Sequence, residues 1–152
     1  MKLPDDFRDL LTCLADAQVD FVIVGGFAVA HHGHVRATKD IDVLVRASAV
    51  NATHVMHGLV AFGAPVQVLN ITAHDFAREG KVIQLGVPPF RVDLLTSISG
   101  IDFDAAVANT SAIDVDGRQV RVIGLDALIK NKRAAGRPQD LADVAELEKT
   151  TQ

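Results

Sequence analysis

The chain contains one cysteine, no tryptophan and no tryptophan-like substitute beyond seven phenylalanines. A lone thiol, Cys13, cannot close an internal disulfide, so the 152 residues must hold together by core packing. Cys13 falls within an apolar helical pattern and is read as a small hydrophobe with no catalytic role. Without Trp or Tyr, only Phe, His and Arg remain to stack on a nucleobase. Long apolar runs are also lacking. The longest, around Phe21 to Ala30, is broken by glycines and ends in histidines, well short of the roughly 20 residues of a membrane span. The start, with Lys2, Pro4, Asp5 and Asp6, has no apolar leader segment, which points to the cytoplasm. Positive charge is not in excess: 15 Lys and Arg against 19 Asp and Glu give a net charge of -4, which argues against general coating of nucleic acid.

What the chain does have is core material. Hydrophobic residues make up 49 % of the sequence and no low-complexity tract interrupts them, so one ordered domain over residues 1–152 is expected. Phe7, Leu10, Leu11 and Leu14 form one stripe of a helix over Asp5 to Ala17. Phe21-Val22-Ile23-Val24 suits a strand buried on both faces and ended by Gly25-Gly26. A short helix from about Phe27 to His32 should follow, stopped by Gly33. Asp40 to Val45 reads as a second strand, and Ser48 as the cap of a helix reaching about Val60. Val66 to Leu69, Lys81 to Val87 and Phe90 to Leu95 also read as strands, with Thr72 capping a helical turn near Phe76. Ile113 to Asp116 and Gln119 to Ile123 flank an Asp-Gly hairpin step. Leu125 to Ala135 and Leu141 to Leu147 are helical, separated by Gly136-Arg137-Pro138. Alternating strands and helices predict an α/β (α+β) fold with a helical C-terminus.

The chemistry is concentrated between Phe21 and Val45. In Asp40-Ile41-Asp42 two carboxylates lie two apart on a strand, so they share a face with Cα atoms roughly 7 Å apart and can share bound cations. Ile41 and Val43 point the other way and fix the register. Taken alone, the pair fits a solvated strand end equally well. Gly25 and Gly26 add backbone that a ligand can approach closely, and the amides of the following helix suit phosphate oxygens. Between glycines and acids lie Arg36, Thr38 and Lys39, which either contact phosphate or balance the carboxylates.

A hydrophobic strand ending in Gly-Gly and followed by Asp-hydrophobic-Asp resembles the signature of the nucleotidyltransferase superfamily. The resemblance implies a mixed β-sheet flanked by helices and a third carboxylate on a later strand. Asp93, within Phe90-Arg91-Val92-Asp93-Leu94-Leu95, is the candidate. It further implies that Asp40, Asp42 and Asp93 hold two Mg²⁺ ions and that Gly25 and Gly26 cradle a nucleoside triphosphate. A nucleoside monophosphate then passes to an acceptor hydroxyl with release of pyrophosphate. Three acids suit the task, because two hard cations roughly 4 Å apart require oxygen ligands. Within the superfamily the chain is similar to the toxin-related AbiEii-type proteins, which suggests a toxin-antitoxin setting, and to the lincosamide-type nucleotidyltransferases. Its ending, from Lys132 through Arg137 to Asp140-Leu141-Ala142-Asp143, resembles their helical close. There Lys132 and Arg137 would reach the nucleotide phosphates and Asp140 or Asp143 would set their positions. On charge alone, a solvated helical surface whose ion pairs contribute at most ~1 kcal/mol each accounts for the same residues.

His31, His32 and His34 fit no zinc-ligand spacing and are read as surface or capping residues at a helix end. Asp102 and Asp104 are read as capping charges. Nothing in the sequence names the base or the acceptor, which ranges over small molecules, RNA ends and protein side chains. At this length there is little room for a separate acceptor-binding domain, which leaves a protein partner or a second copy to complete the site. Two competing functions are a nucleotide- or partner-binding module of antitoxin or regulator type, without turnover, and a metal-dependent phosphohydrolase.

Overall fold

Phe7, Leu10, Leu11 and Leu14 recur at helical spacing and are all buried on one side of the first helix, α1 (Asp5–Asp16). The computed structural model that shows this describes residues 3–35, 40–87 and 90–150. The apolar run of β1 (Phe21–Val24) is buried at every position, as a strand covered on both faces requires. It passes without a loop into α2 (Gly25–His31). The two glycines are therefore the first residues of the helix, which begins earlier than the expected Phe27. Gly25 takes a left-handed φ of 69°, which lets the chain turn at once from strand to helix.

β2 (Asp40–Val45) returns antiparallel to β1, setting Asp42 opposite Val24 and Val45 opposite Phe21. Ser48 accepts a hydrogen bond from the Asn51 N–H at 3.1 Å and starts α3 (Ala49–Phe62), which ends at left-handed Gly63. The stretch from Val66 to Leu69, expected as a strand, is a series of turns. Its backbone is satisfied locally: the Leu69 N–H donates to the Pro65 carbonyl and the Ile71 N–H to that of Val66. Val68 is 85 % exposed, so its apolar alternation had no sheet face to bury. The chain continues through α4 (Ala73–Phe76), where the Asp75 carboxylate accepts from the Thr72 N–H, to β3 (Val82–Val87) and β4 (Phe90–Leu95).

Asp102 accepts from the Ala105 N–H and caps α5 (Phe103–Val107), in line with the capping role read from the sequence. β5 (Ser111–Val115) and β6 (Arg118–Val122) form a hairpin whose turn residues Asp116 and Gly117 both have positive φ, as an Asp-Gly step favours. The last two elements are α6 (Leu125–Ala135) and α7 (Pro138–Lys149). α7 starts before the expected Leu141, because Pro138 is well suited to a helix's first turn.

The strands make one mixed sheet in the order β3-β4-β2-β1-β6-β5. β2 runs parallel to β4, and β1 parallel to β6, while the remaining neighbours are antiparallel. Helices pack an apolar core against the sheet, in agreement with the fold class read from the sequence. Among the described residues no helix is long and apolar enough to cross a membrane.

Candidate active site

Sheet order makes β2 and β4 neighbours, and their register sets Asp42 directly opposite Asp93 and Asp40 opposite Arg91. Residues opposite one another in a parallel pair, and residues two apart along a strand, share a face. Asp40, Asp42 and Asp93 therefore share one face of the central sheet. Asp42 stands directly opposite Asp93, and its pKa is pushed up to about 6. Burial is the main cause, followed by the charges of Asp93 and Asp40, with Lys132 acting in the opposite sense. Burial also raises Asp93, against the neighbouring Arg91.

Gly25 closes the site from the β1 side. A Cβ on this residue would overlap Asp42 Oδ2, so the backbone passes the carboxylate at a distance no side chain permits. Gly26 follows as the second residue of α2. Arg36, Thr38 and Lys39 lie outside the described residues.

The C-terminal helices supply the opposite wall. Lys132 is buried on α6, with its Nζ 3.1 Å from Asp140 Oδ1 and 3.2 Å from Asp143 Oδ2, both buried on α7. Arg137 donates from Nε to Asp140 Oδ2 at 2.7 Å while most of its side chain stays exposed. Burial works against the Asp140 charge, but the hydrogen bonds from Arg137 and Lys132 overcome it and hold its pKa at about 2. The solvated-surface reading of this segment is therefore replaced for Lys132, Asp140 and Asp143 by a buried charge network.

Of the three acids, Asp42 lines a cleft of about 380 Å³, which it shares with Gly25, Ser97, Ser99, Asn131, Lys132 and Arg137. Ser97, Ser99 and Asn131 carry no sequence signal, since they come from a loop and a helix that only the fold brings together. The Asn131 amide donates to the Ser99 carbonyl at 3.0 Å and ties that loop to α6. A larger hollow of about 530 Å³, lined by Arg8, Phe27, His31 and Asp114, contains none of the three acids, so size alone does not select the site. The histidines do not converge: His32 Nε2 lies 2.6 Å from the Ile123 carbonyl, and His34 lies 3.9 Å from Asp143. Among the described residues no three His, Cys, Asp or Glu side chains stand together as a ready-made metal set.

Residues 4–152 match the model of a family described as nucleotidyl transferase of unknown function (DUF2204). The solution structure of the antibiotic-resistance factor ANT(2'')-Ia is similar in fold, with a TM-score of 0.54 at 14 % identity over 97 % of this chain and 83 % of that one. A nucleotidyltransferase-like antigenic protein from Paracoccidioides brasiliensis aligns with a TM-score of 0.46 at 17 % identity, over 95 % of this chain and 77 % of its own. No curated protein matches the chain by sequence.

Proposed function

The chain belongs to this nucleotidyl transferase family, and from that premise we propose that it moves a nucleoside monophosphate from a nucleoside triphosphate to an acceptor hydroxyl, using divalent cations held by Asp40, Asp42 and Asp93. The observation that carries the reading is the pairing of Asp42 with Asp93 across neighbouring strands, with Gly25 against Asp42. The donor set fits Mg²⁺, a hard cation that takes oxygen ligands. Asp93 Oδ1 is buried without a hydrogen bond, and the bare Gly25 backbone leaves room for Asp42 Oδ2. Rotation of the carboxylates would gather them into one set. Bound there, the cations would supply charge neutralisation at the triphosphate and at the attacking oxygen.

The remaining work falls to the chain's own groups. Lys132 and Arg137, on the far wall of the cleft, would hold phosphate oxygens, with Arg36, Thr38 and Lys39 assigned the same task from sequence. The bond from the acceptor oxygen to the α-phosphorus forms as the bond from that phosphorus to the bridging oxygen breaks. Pyrophosphate leaves, and the hydroxyl proton passes to Asp93. We take the 152 residues as one catalytic domain acting in the cytoplasm, with the acceptor, or a protein partner or second copy that presents it, entering from outside.

The test is incubation with Mg²⁺, labelled nucleoside triphosphates and a panel of small-molecule, RNA and protein acceptors. Pyrophosphate and a labelled acceptor are expected, with loss of both in a folded Asp42→Ala variant. Activity that survives in that variant removes the assignment, and nucleotide binding without pyrophosphate release favours a binding module.

A further inference from the structure

Four side chains share the face of β2 and β4 that carries the acids: Asp40 and Asp42 on one strand, Arg91 and Asp93 on the other. Three are carboxylates and the fourth is a permanent cation. Arg91 Nη2 donates to Asp40 Oδ2 at 3.1 Å, and Arg91 Nε stands 3.6 Å from Asp93 Oδ1. The guanidinium thus reaches an acid on each strand.

Its two contacts are unequal. The one to Asp40 is a hydrogen bond, whereas both Arg91 Nε and Asp93 Oδ1 are buried without any hydrogen-bond partner. On the Asp93 side the attraction is electrostatic, and no formed hydrogen bond has to be broken to part the two groups. A divalent ion offers the same carboxylates a higher charge at a shorter distance, with oxygen ligands at about 2.1 Å for Mg²⁺. Both cations cannot hold those oxygens at once.

We propose that Arg91 is a resident counter-cation of the acid site: it neutralises Asp40 and Asp93 in the metal-free protein, must release them for a divalent ion to bind, and so sets the cation affinity of the site. This rests on the metal-site reading above. It gives Arg91 a positioning role toward two acids, separate from any contact with nucleotide.

The test measures Mn²⁺ binding to the full chain without nucleotide, by calorimetry and by the loss of the free-ion paramagnetic signal. Arg91→Gln should bind Mn²⁺ about tenfold more tightly than the wild type, as loss of a competing charge at a half-exposed pair implies. Its melting temperature should be lower without metal and gain more on adding Mn²⁺. Arg91→Lys, which keeps the charge and loses the planar fork, should fall between the two and carries the test should Arg91→Gln fail to fold. Equal or weaker Mn²⁺ binding by the folded variants, with the wild type binding normally and Asp42→Asn not binding, overturns the role of Arg91 and leaves the metal site standing. Absence of Mn²⁺ binding in every variant and in the wild type overturns both.

Discussion

The carboxyl of Asp42 is buried beside two other acids, and its raised pKa of about 6 makes its charge a cost to the fold. Below the ordinary value of 3.8 it is protonated both in the folded and in the unfolded chain. As pH rises from there toward 6 the unfolded chain releases its proton first, so stability falls across that window and the full penalty, ~3 kcal/mol, stands above it. Without divalent cations, Asp42→Asn, which stays neutral, should therefore be more stable than the wild type by up to ~3 kcal/mol at pH 8 and little different at pH 4. Urea unfolding at both values checks this, and an equal difference at the two would refute it. Asp40 and Asp42 were legible in the sequence because alternation with Ile41 and Val43 fixes their face. The role of Arg91 was not, since its spacing from Asp93 is visible in the sequence but its register opposite Asp40 is a property of the sheet.

Among the elements, α6 and α7 are joined through charge as well as through apolar contact. Lys132 sits between Asp140 and Asp143, all three buried. Removing the ammonium leaves two buried carboxylates without their shared partner, so Lys132→Ala should lower stability by ~3–5 kcal/mol, far more than an exposed pair contributes. Chemical unfolding monitored by circular dichroism measures the loss, and a change under about 1 kcal/mol, the scale of an exposed pair, would show the network to be dispensable. Helix bounds were read well where a periodic stripe or a cap marks them, as in α1 and at Ser48. They were missed where a residue usually taken as a breaker joins the helix, as Gly25 and Pro138 do. The run from Val66 to Leu69 has strand-like composition, but only a neighbouring strand makes such a run a strand, and the sheet has none beside it.

For the molecule as a whole, the acids are carried by β2 and β4, which lie inside the sheet with a neighbour on each side, while β3 and β5 form its edges. The site is thus held by paired strands and its wall by packed helices, an arrangement that suits precise placement. A ligand that binds only the folded state stabilises it by ~2.7 kcal/mol at about a hundredfold excess over Kd, which for a chain of this size is a rise in Tm of ~5–10 °C. Such a rise is expected with Mg²⁺ and the preferred nucleoside triphosphate, and thermal scans of Asp42→Ala should show none. Fold class followed from the alternation of elements, but the strand order, and with it the cleft that brings Ser97, Ser99 and Asn131 to Asp42, depends on contacts between distant segments that no local pattern records.

The contact between Gly25 and Asp42 also bears on how the chain can change over generations. Because a Cβ at position 25 would overlap the Asp42 carboxylate, position 25 cannot gain a side chain while Asp42 stays as it is. A relative that keeps the acid at 42, and with it the activity proposed for this site, is therefore expected to keep glycine at 25, where the left-handed φ of 69° disfavours a side chain for a second reason.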